Sequence, residues 1–393
     1  MSKKLSLITL ICFIIGIICG FFMPGIFPHI SFLGTVYVNL LKMMIIPVLM
    51  TSIVYALAQN HKGTGKIIWK TIITFIVMFI VSFLITFIIV SVSNPGVNFS
   101  LTEIAYENGI TSTSFSDFFI SIFPSNIFES IRTNSILPVI LFSFVLGLAI
   151  QKTENNSYII NVLKNLKDTT ERMLKYIMYI TPIGVFALIG NSVANFGTTV
   201  ITQGIVYILI AYACCIAITI FVMILPVWLF CKVSPIEYIK KVAPIWINTL
   251  STCSSAATLP TTIKICNQSF GIPDYITSIV VPLGCTIHMC GGAVSFCLLA
   301  LFNAQLFGIE VTLGMFVVMI MAALLINMGA PGIPGGGIVI GATYLTILGI
   351  PLDFMGLYAG IYRVLDMAYT SMNVTGDITA NLLIRKMYNG KLL

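Results

Sequence analysis

The chain is 393 residues long, with 58% hydrophobic residues, 8% charged residues and a mean hydropathy of +1.04. About one quarter of a soluble domain is charged, so an ordinary water-soluble enzyme is excluded, and disorder needs low hydrophobicity, so a disordered linker is excluded as well. The net charge of +7 does not indicate nucleic acid, because the basic residues lie in short segments between apolar runs: Lys3 and Lys4; Lys62, Lys66 and Lys70; Lys164, Lys167, Arg172 and Lys175; Lys232, Lys240 and Lys241; Arg385, Lys386 and Lys391. The intervening connections carry acids such as Glu103, Glu107, Glu310 and Asp353. This alternation is the positive-inside pattern of a multi-pass protein with both termini in the cytoplasm.

In chain order, apolar spans are expected near 5–27, 31–59, 71–93, 116–151, 173–195 and 203–231, each reaching or exceeding the roughly 20 residues that cross a bilayer. The first follows a basic segment but is too long for a signal-peptide core and lacks a small-residue cleavage site, so it reads as a retained helix. The stretch 236–270 holds the small-polar block Ser251-Thr252-Cys253-Ser254-Ser255-Ala256-Ala257-Thr258-Leu259-Pro260. It is too polar at its centre to cross and too short on each flank, which predicts a re-entrant helical hairpin with a buried tip. A crossing near 274–303 follows, broken around Gly284 to Gly292. The block 310–347 repeats the arrangement around Gly329-Ala330-Pro331-Gly332-Ile333-Pro334-Gly335-Gly336-Gly337, and a last span covers 353–384. Interrupted segments in matching positions of two repeats mark a transporter binding site near the midplane.

Of the thirteen acids, only Asp366 and Asp377 lie deep in an apolar span of the C-terminal half. A carboxylate there costs about 2.5 kcal/mol or more, so it is functional by default. At 100° per residue, Tyr362, Asp366, Tyr369, Thr370, Asn373 and Asp377 form one stripe, with Arg363 beside it. A merely structural Arg363–Asp366 pair explains neither Asn373 nor the second carboxylate. The stripe suits an amino acid: Asp366 for an ammonium group and Asn373 for an α-carboxylate. Asp377 is then left for a cation, together with carbonyls around Gly284 and His288. The two acids stand roughly 16 Å apart along a helix, too far for a hydrolytic dyad, and the polarity is too localised for a channel. The ten cysteines form no CxxC pair, so neither a disulfide framework nor a zinc site is indicated.

The blocks Ser254-Ser255-Ala256-Ala257-Thr258-Leu259-Pro260, Pro282-Leu283-Gly284, Gly332-Ile333-Pro334-Gly335-Gly336-Gly337 and Asn373-Val374-Thr375-Gly376-Asp377, with Asn94-Pro95-Gly96 after the third span, resemble the dicarboxylate/amino acid:cation symporters over essentially the whole chain. The resemblance implies an all-α integral membrane protein of eight transmembrane helices and two re-entrant hairpins, a homotrimer in the lipid of the cell inner membrane, and an elevator mechanism. The scaffold would comprise 1–66 and 99–200; the transport domain would comprise 67–98 and 201–393. It also implies substrate contacts at Ser254, Ser255, Ile333, Gly335, Gly292, Asp366, Tyr369, Thr370 and Asn373. One sodium site would use Gly284, His288, Asn373 and Asp377. A second would use Thr286, Asn327, Met328 and Ala330, near the Met289 sulfur.

Departures from the family pattern shape the expected function. Where acidic-substrate members carry an arginine, this chain has Tyr369, and a threonine that helps there is Gly292. A neutral amino acid is therefore the expected substrate, with extra room over Gly292. Arg363 matches an arginine that couples substrate to ion release; the alternative is that it reads an acidic side chain. The signature Asn-Met-Asp-Gly-Thr is here His288-Met289-Cys290-Gly291-Gly292, and the helix 3 partners align on Phe75, Met78 and Phe79. Such groups serve hard sodium poorly, so a third sodium site is expected to be lost. His288 either exchanges a proton in its place or stays neutral and gives only its carbonyl.

Overall fold

The computed structural model describes residues 3–58, 65–97, 119–120, 122–133, 135–328 and 336–388. The described residues form helices and no strand, as lipid requires, because a helix pairs its backbone groups within its own segment.

Helix α1 (Lys3–Phe22) ends at Met23-Pro24, where the chain bends by 104° into the following helix. The span expected at 31–59 is two helices, α2 (Phe27–Met43) and α3 (Ile45–Ala58). The break falls where the Pro47 ring would clash with the carbonyl of Met43, four residues back. Helix α4 (Gly65–Ser93) is continuous. The span expected at 116–151 is shorter than its apolar run, and residues 116–118 lie outside the described part. Asn126 accepts from the Phe128 amide at 2.9 Å to start the short α5 (Ile127–Arg132), and α6 (Ile136–Lys152) follows. On α5, Arg132 and Glu129 pair through two hydrogen bonds of 2.8 and 2.6 Å. Helix α7 (Ser157–Met178) was not expected: it is amphipathic rather than apolar, so a search for apolar runs passes over it. The crossing placed at 173–195 begins only at α8 (Thr181–Phe196), with Pro182 in its first turn. Helices α9 (Thr198–Ile218) and α10 (Leu225–Cys231) are joined by a π turn over Thr219–Ile224, where Pro226 removes a helical donor.

The first hairpin is α11 (Pro235–Thr252) and α12 (Ser255–Lys264). Its tip is tighter than the polar block suggested. Cys253 turns the chain with φ of 48°, and the Ser254 hydroxyl caps α12 by accepting from the Ala257 amide at 3.2 Å. The broken crossing is α13 (Asp274–Ile287) and α14 (Cys290–Leu306), parted at His288-Met289, inside the predicted window. The second hairpin is α15 (Leu313–Asn327) and α16 (Gly336–Ile347), and α17 (Met355–Tyr388) is a single helix of 34 residues.

Two packing groups emerge. Helices α1 and α2 lie on α8, and α3 lies on α6 and α7; α4 instead packs on α13, α14 and α17 and also meets α9 and α15. Lys66–Ser93, Ile201–Cys231 and Asp274–Leu306 are long and apolar enough to cross a bilayer, at mean hydropathies of 3.0, 2.9 and 1.8. The last, least apolar one is 89% buried, so it runs inside the protein where polar groups find partners. Outward-facing Phe22, Val92, Leu209 and Trp228 are exposed apolar side chains of the kind a bilayer covers.

Candidate functional site

The stripe on α17 faces a cavity of about 50 Å³. Tyr362, Asp366, Tyr369, Thr370 and Asn373 form one wall; Cys253 and Ser255 of the first hairpin tip form a second. Met289, Gly291, Gly292, Ser295 and Phe296 line it from the broken crossing, and Asn327, Gly337 and Ile340 from the second hairpin. Four elements far apart in sequence thus converge where the tips and the break leave backbone groups without helical partners.

Asp366 is 7% exposed, and the Thr370 hydroxyl donates to its Oδ1 at 3.0 Å. Asn373 Oδ1 accepts from the amide of Gly291 at 2.8 Å. An amide oxygen must face that N–H, which turns the Asn373 NH₂ away from it as a free pair of donors. Gly291 leaves no room for a Cβ because the backbone of Tyr369 lies directly against it. Tyr369 is 2% exposed and lines the cavity at the position where a charged side chain was missing from the sequence. Arg363 is half-buried on the same helix outside the cavity lining.

The space above Gly292 is not the extra room expected. A Cβ there would collide with Oδ1 of Asn327, whose side chain reaches across from the end of α15. Ser254 stands behind the tip as a cap rather than on the cavity wall. Ala330, Ile333 and Gly335 lie outside the described residues. Asn327 and Met328 end α15, so their carbonyls are among those the helix leaves unpaired. Thr286 occupies the last turn of α13 and Met289 the break itself.

Asp377 lies one turn beyond Asn373, away from the cavity. Its Oδ1 meets Nδ1 of His288 at 2.9 Å, and Gly284 packs against the same oxygen. Sequence reasoning missed Cys253, Gly291, Ser295, Phe296, Gly337 and Ile340 on the cavity wall. The left-handed turn at Cys253 and the facing of α14 and α16 bring them there, and neither is a sequence signal.

A small cavity lined by apolar side chains and a few polar groups lies among two hairpins, a broken helix and a polar-faced helix, an arrangement suited to a helical membrane carrier. The chain belongs to the sodium:dicarboxylate symporter family, whose pattern matches residues 5–387. It is 30% identical over 390 residues to the proton/sodium-glutamate symport protein of Geobacillus stearothermophilus, covering 95% of this chain and 92% of that one. It is 29% identical to the proton/glutamate-aspartate symporter of Escherichia coli (strain K12), over 90% of this chain and 84% of that protein. It is 25% identical to the C4-dicarboxylate transport protein of Bacillus subtilis (strain 168), over 98% and 94% of the two chains. The protein is accordingly a membrane symporter.

Proposed function

We propose that this symporter couples a cation, sodium in the first place, to the uptake of a neutral amino acid across the cytoplasmic membrane. The observation that carries this reading is the charge of the cavity wall. Among its described lining residues Asp366 alone bears a full charge, and Tyr369 stands where a side-chain carboxylate would need a cation. Asp366 takes the ammonium group, with its orientation held by Thr370. The NH₂ of Asn373 and the unpaired backbone amide of Ser255, at the start of α12, take the α-carboxylate. Tyr369, Phe296, Ile340 and the Asn327 amide face the substrate side chain.

Sodium is assigned to the carbonyls of Thr286, Asn327, Met328 and Ala330, near the Met289 sulfur, because helix ends supply the hard oxygen donors it needs. In the same reading 1–66 and 99–200 form a trimeric scaffold, and 67–98 with 201–393 forms the part that carries substrate as an elevator. The separate packing of α4 from α1–α3 supports this division. Eight crossings then bring both termini to the cytoplasmic side, as the positive-inside pattern requires.

A second reading has support in the relatives, which are named for glutamate, aspartate and C4-dicarboxylates. Under it Arg363 swings to an acidic side chain, and a proton enters through His288. Uptake of labelled serine, alanine, cysteine and aspartate into proteoliposomes, with a sodium gradient, a proton gradient or neither, separates the two. The proposal expects sodium-driven entry of a neutral amino acid with aspartate ignored. Aspartate uptake overturns the substrate assignment. A proton requirement that disappears in His288→Asn moves the coupling to the imidazole.

A further inference from the structure

Behind the cavity, the imidazole of His288 fills the place where a cation at Asp377 would be expected. Its Nδ1 lies 2.9 Å from Oδ1 of Asp377, and its Nε2 lies 3.1 Å from the sulfur of Cys290. Phe75 of α4 stacks flat on the ring, with centroids 4.3 Å apart and planes 12° from parallel. Side-chain exposure is 0% for His288 and 3% for Asp377. The surrounding backbone packs closely on this arrangement. A Cβ at Gly284 would strike Asp377 Oδ1, and one at Gly376 would come within 2.5 Å of the His288 ring.

With the carboxylate accepting, Nδ1–H donates to Asp377 and Nε2 accepts from the Cys290 thiol, the tautomer that pairs every one of these groups. That satisfies both ring nitrogens and one carboxylate oxygen without any ion. The groups around that oxygen are an imidazole N–H, the Gly284 backbone, a phenyl face and, beyond the ring, a thiol. No side chain among them is the hard oxygen donor that sodium selects, and the Gly284 carbonyl already accepts from the His288 amide at 2.9 Å. An N–H proton and a sodium ion aimed at one oxygen also repel each other. The residues therefore do not fit a sodium ion at Asp377.

We propose that the His288 imidazole is a permanent internal substitute for a cation at Asp377, and that this carboxylate takes no part in binding sodium. The inference rests on the reading of the chain as a cation-coupled carrier. It deepens that reading by confining sodium to the carbonyl set at the end of α15. A cation surrogate built from the chain keeps the break between α13 and α14 tied to α17 throughout the transport cycle.

Equilibrium binding of radiolabelled sodium to the purified full-length chain in nanodiscs tests this, with gel filtration and thermal unfolding as folding controls. Asp377→Asn in the otherwise unaltered chain should leave sodium binding within about twofold. His288→Asn and, as a second variant, His288→Ala should each add sodium binding that Asp377→Asn then removes. A loss of sodium binding of about tenfold or more on Asp377→Asn alone overturns the proposal. So does a failure of both His288 variants to gain any. If the unaltered chain binds no sodium while His288→Asn does, the substitute is supported and the sodium clause of the proposed function fails instead.

Discussion

The backbone amide of Gly291 donates to the side-chain oxygen of Asn373, 82 residues further along the chain, at 2.8 Å. Gly291 is the second residue of α14, and Met289 provides no capping side chain for that helix. The first amides of a helix have no internal partners, so Asn373 caps a helix to which it does not belong. The same residue thereby does two tasks with two different atoms: the oxygen holds the break in shape, and the NH₂ faces the substrate.

These two tasks separate by mutation. Asn373→Asp keeps a capping oxygen but loses both donors, so substrate affinity should fall by about tenfold or more, while its buried carboxylate costs about 2.5 kcal/mol or more of stability. Asn373→Ala loses the cap and both donors without adding a charge and should cost about 1 kcal/mol of stability. Thermal unfolding and calorimetric substrate binding, run side by side, decide it. Unchanged affinity in Asn373→Asp would show that the NH₂ does not hold the α-carboxylate.

Tyr369 is the position at which charge selectivity should change. Tyr369→Arg adds a guanidinium to a wall whose described residues carry one negative group. A charge-assisted pair is worth about 1.5–3 kcal/mol, so aspartate should gain at least roughly tenfold over serine or alanine in competition uptake. If aspartate already competes in the unaltered chain, or gains nothing from the arginine, Tyr369 is not the discriminating residue.

Gly292 and Asn327 should behave as a coupled pair. Gly292→Ala drives a methyl group into the Asn327 amide, an overpacking that costs about 1–3 kcal/mol. Asn327→Ala opens the space and should make Gly292→Ala nearly harmless. A double-mutant cycle read by thermal unfolding is expected to give a coupling of about 0.5 kcal/mol or more. Simple additivity would contradict the contact.

The sequence was most informative where one physical constraint acts alone. A polar block in an apolar chain cannot face lipid, which marked the first hairpin, and the 100° period of a helix put Asp366, Tyr369 and Asn373 on one wall. Where two elements compensate each other the letters said little. Gly292 reads as a vacancy until Asn327, from another hairpin, is found occupying it. His288 reads as a lone substitution until Asp377, Cys290 and Phe75 close around it. Helix α7 escaped because its apolar residues are dispersed at helical spacing instead of gathered in a run. The crossing near 116–151 was overlong because Asn126 interrupts it with a cap that composition alone does not register.

Three side-chain hydrogen bonds join the first hairpin to α17 at successive turns: Thr249 to Ser371 at 2.6 Å, Trp246 to Thr375 at 2.9 Å, and Tyr238 to Thr379 at 2.7 Å. They run like the rungs of a ladder along α11 from Tyr238 to Thr249. Parting hairpin and helix would break three side-chain hydrogen bonds at once, one of them buried and two part-buried, each contributing about 0.5–1.5 kcal/mol. The first hairpin and α17 are thereby laced into one unit, so the wall that carries Ser255 and the wall that carries Asp366 keep a fixed spacing.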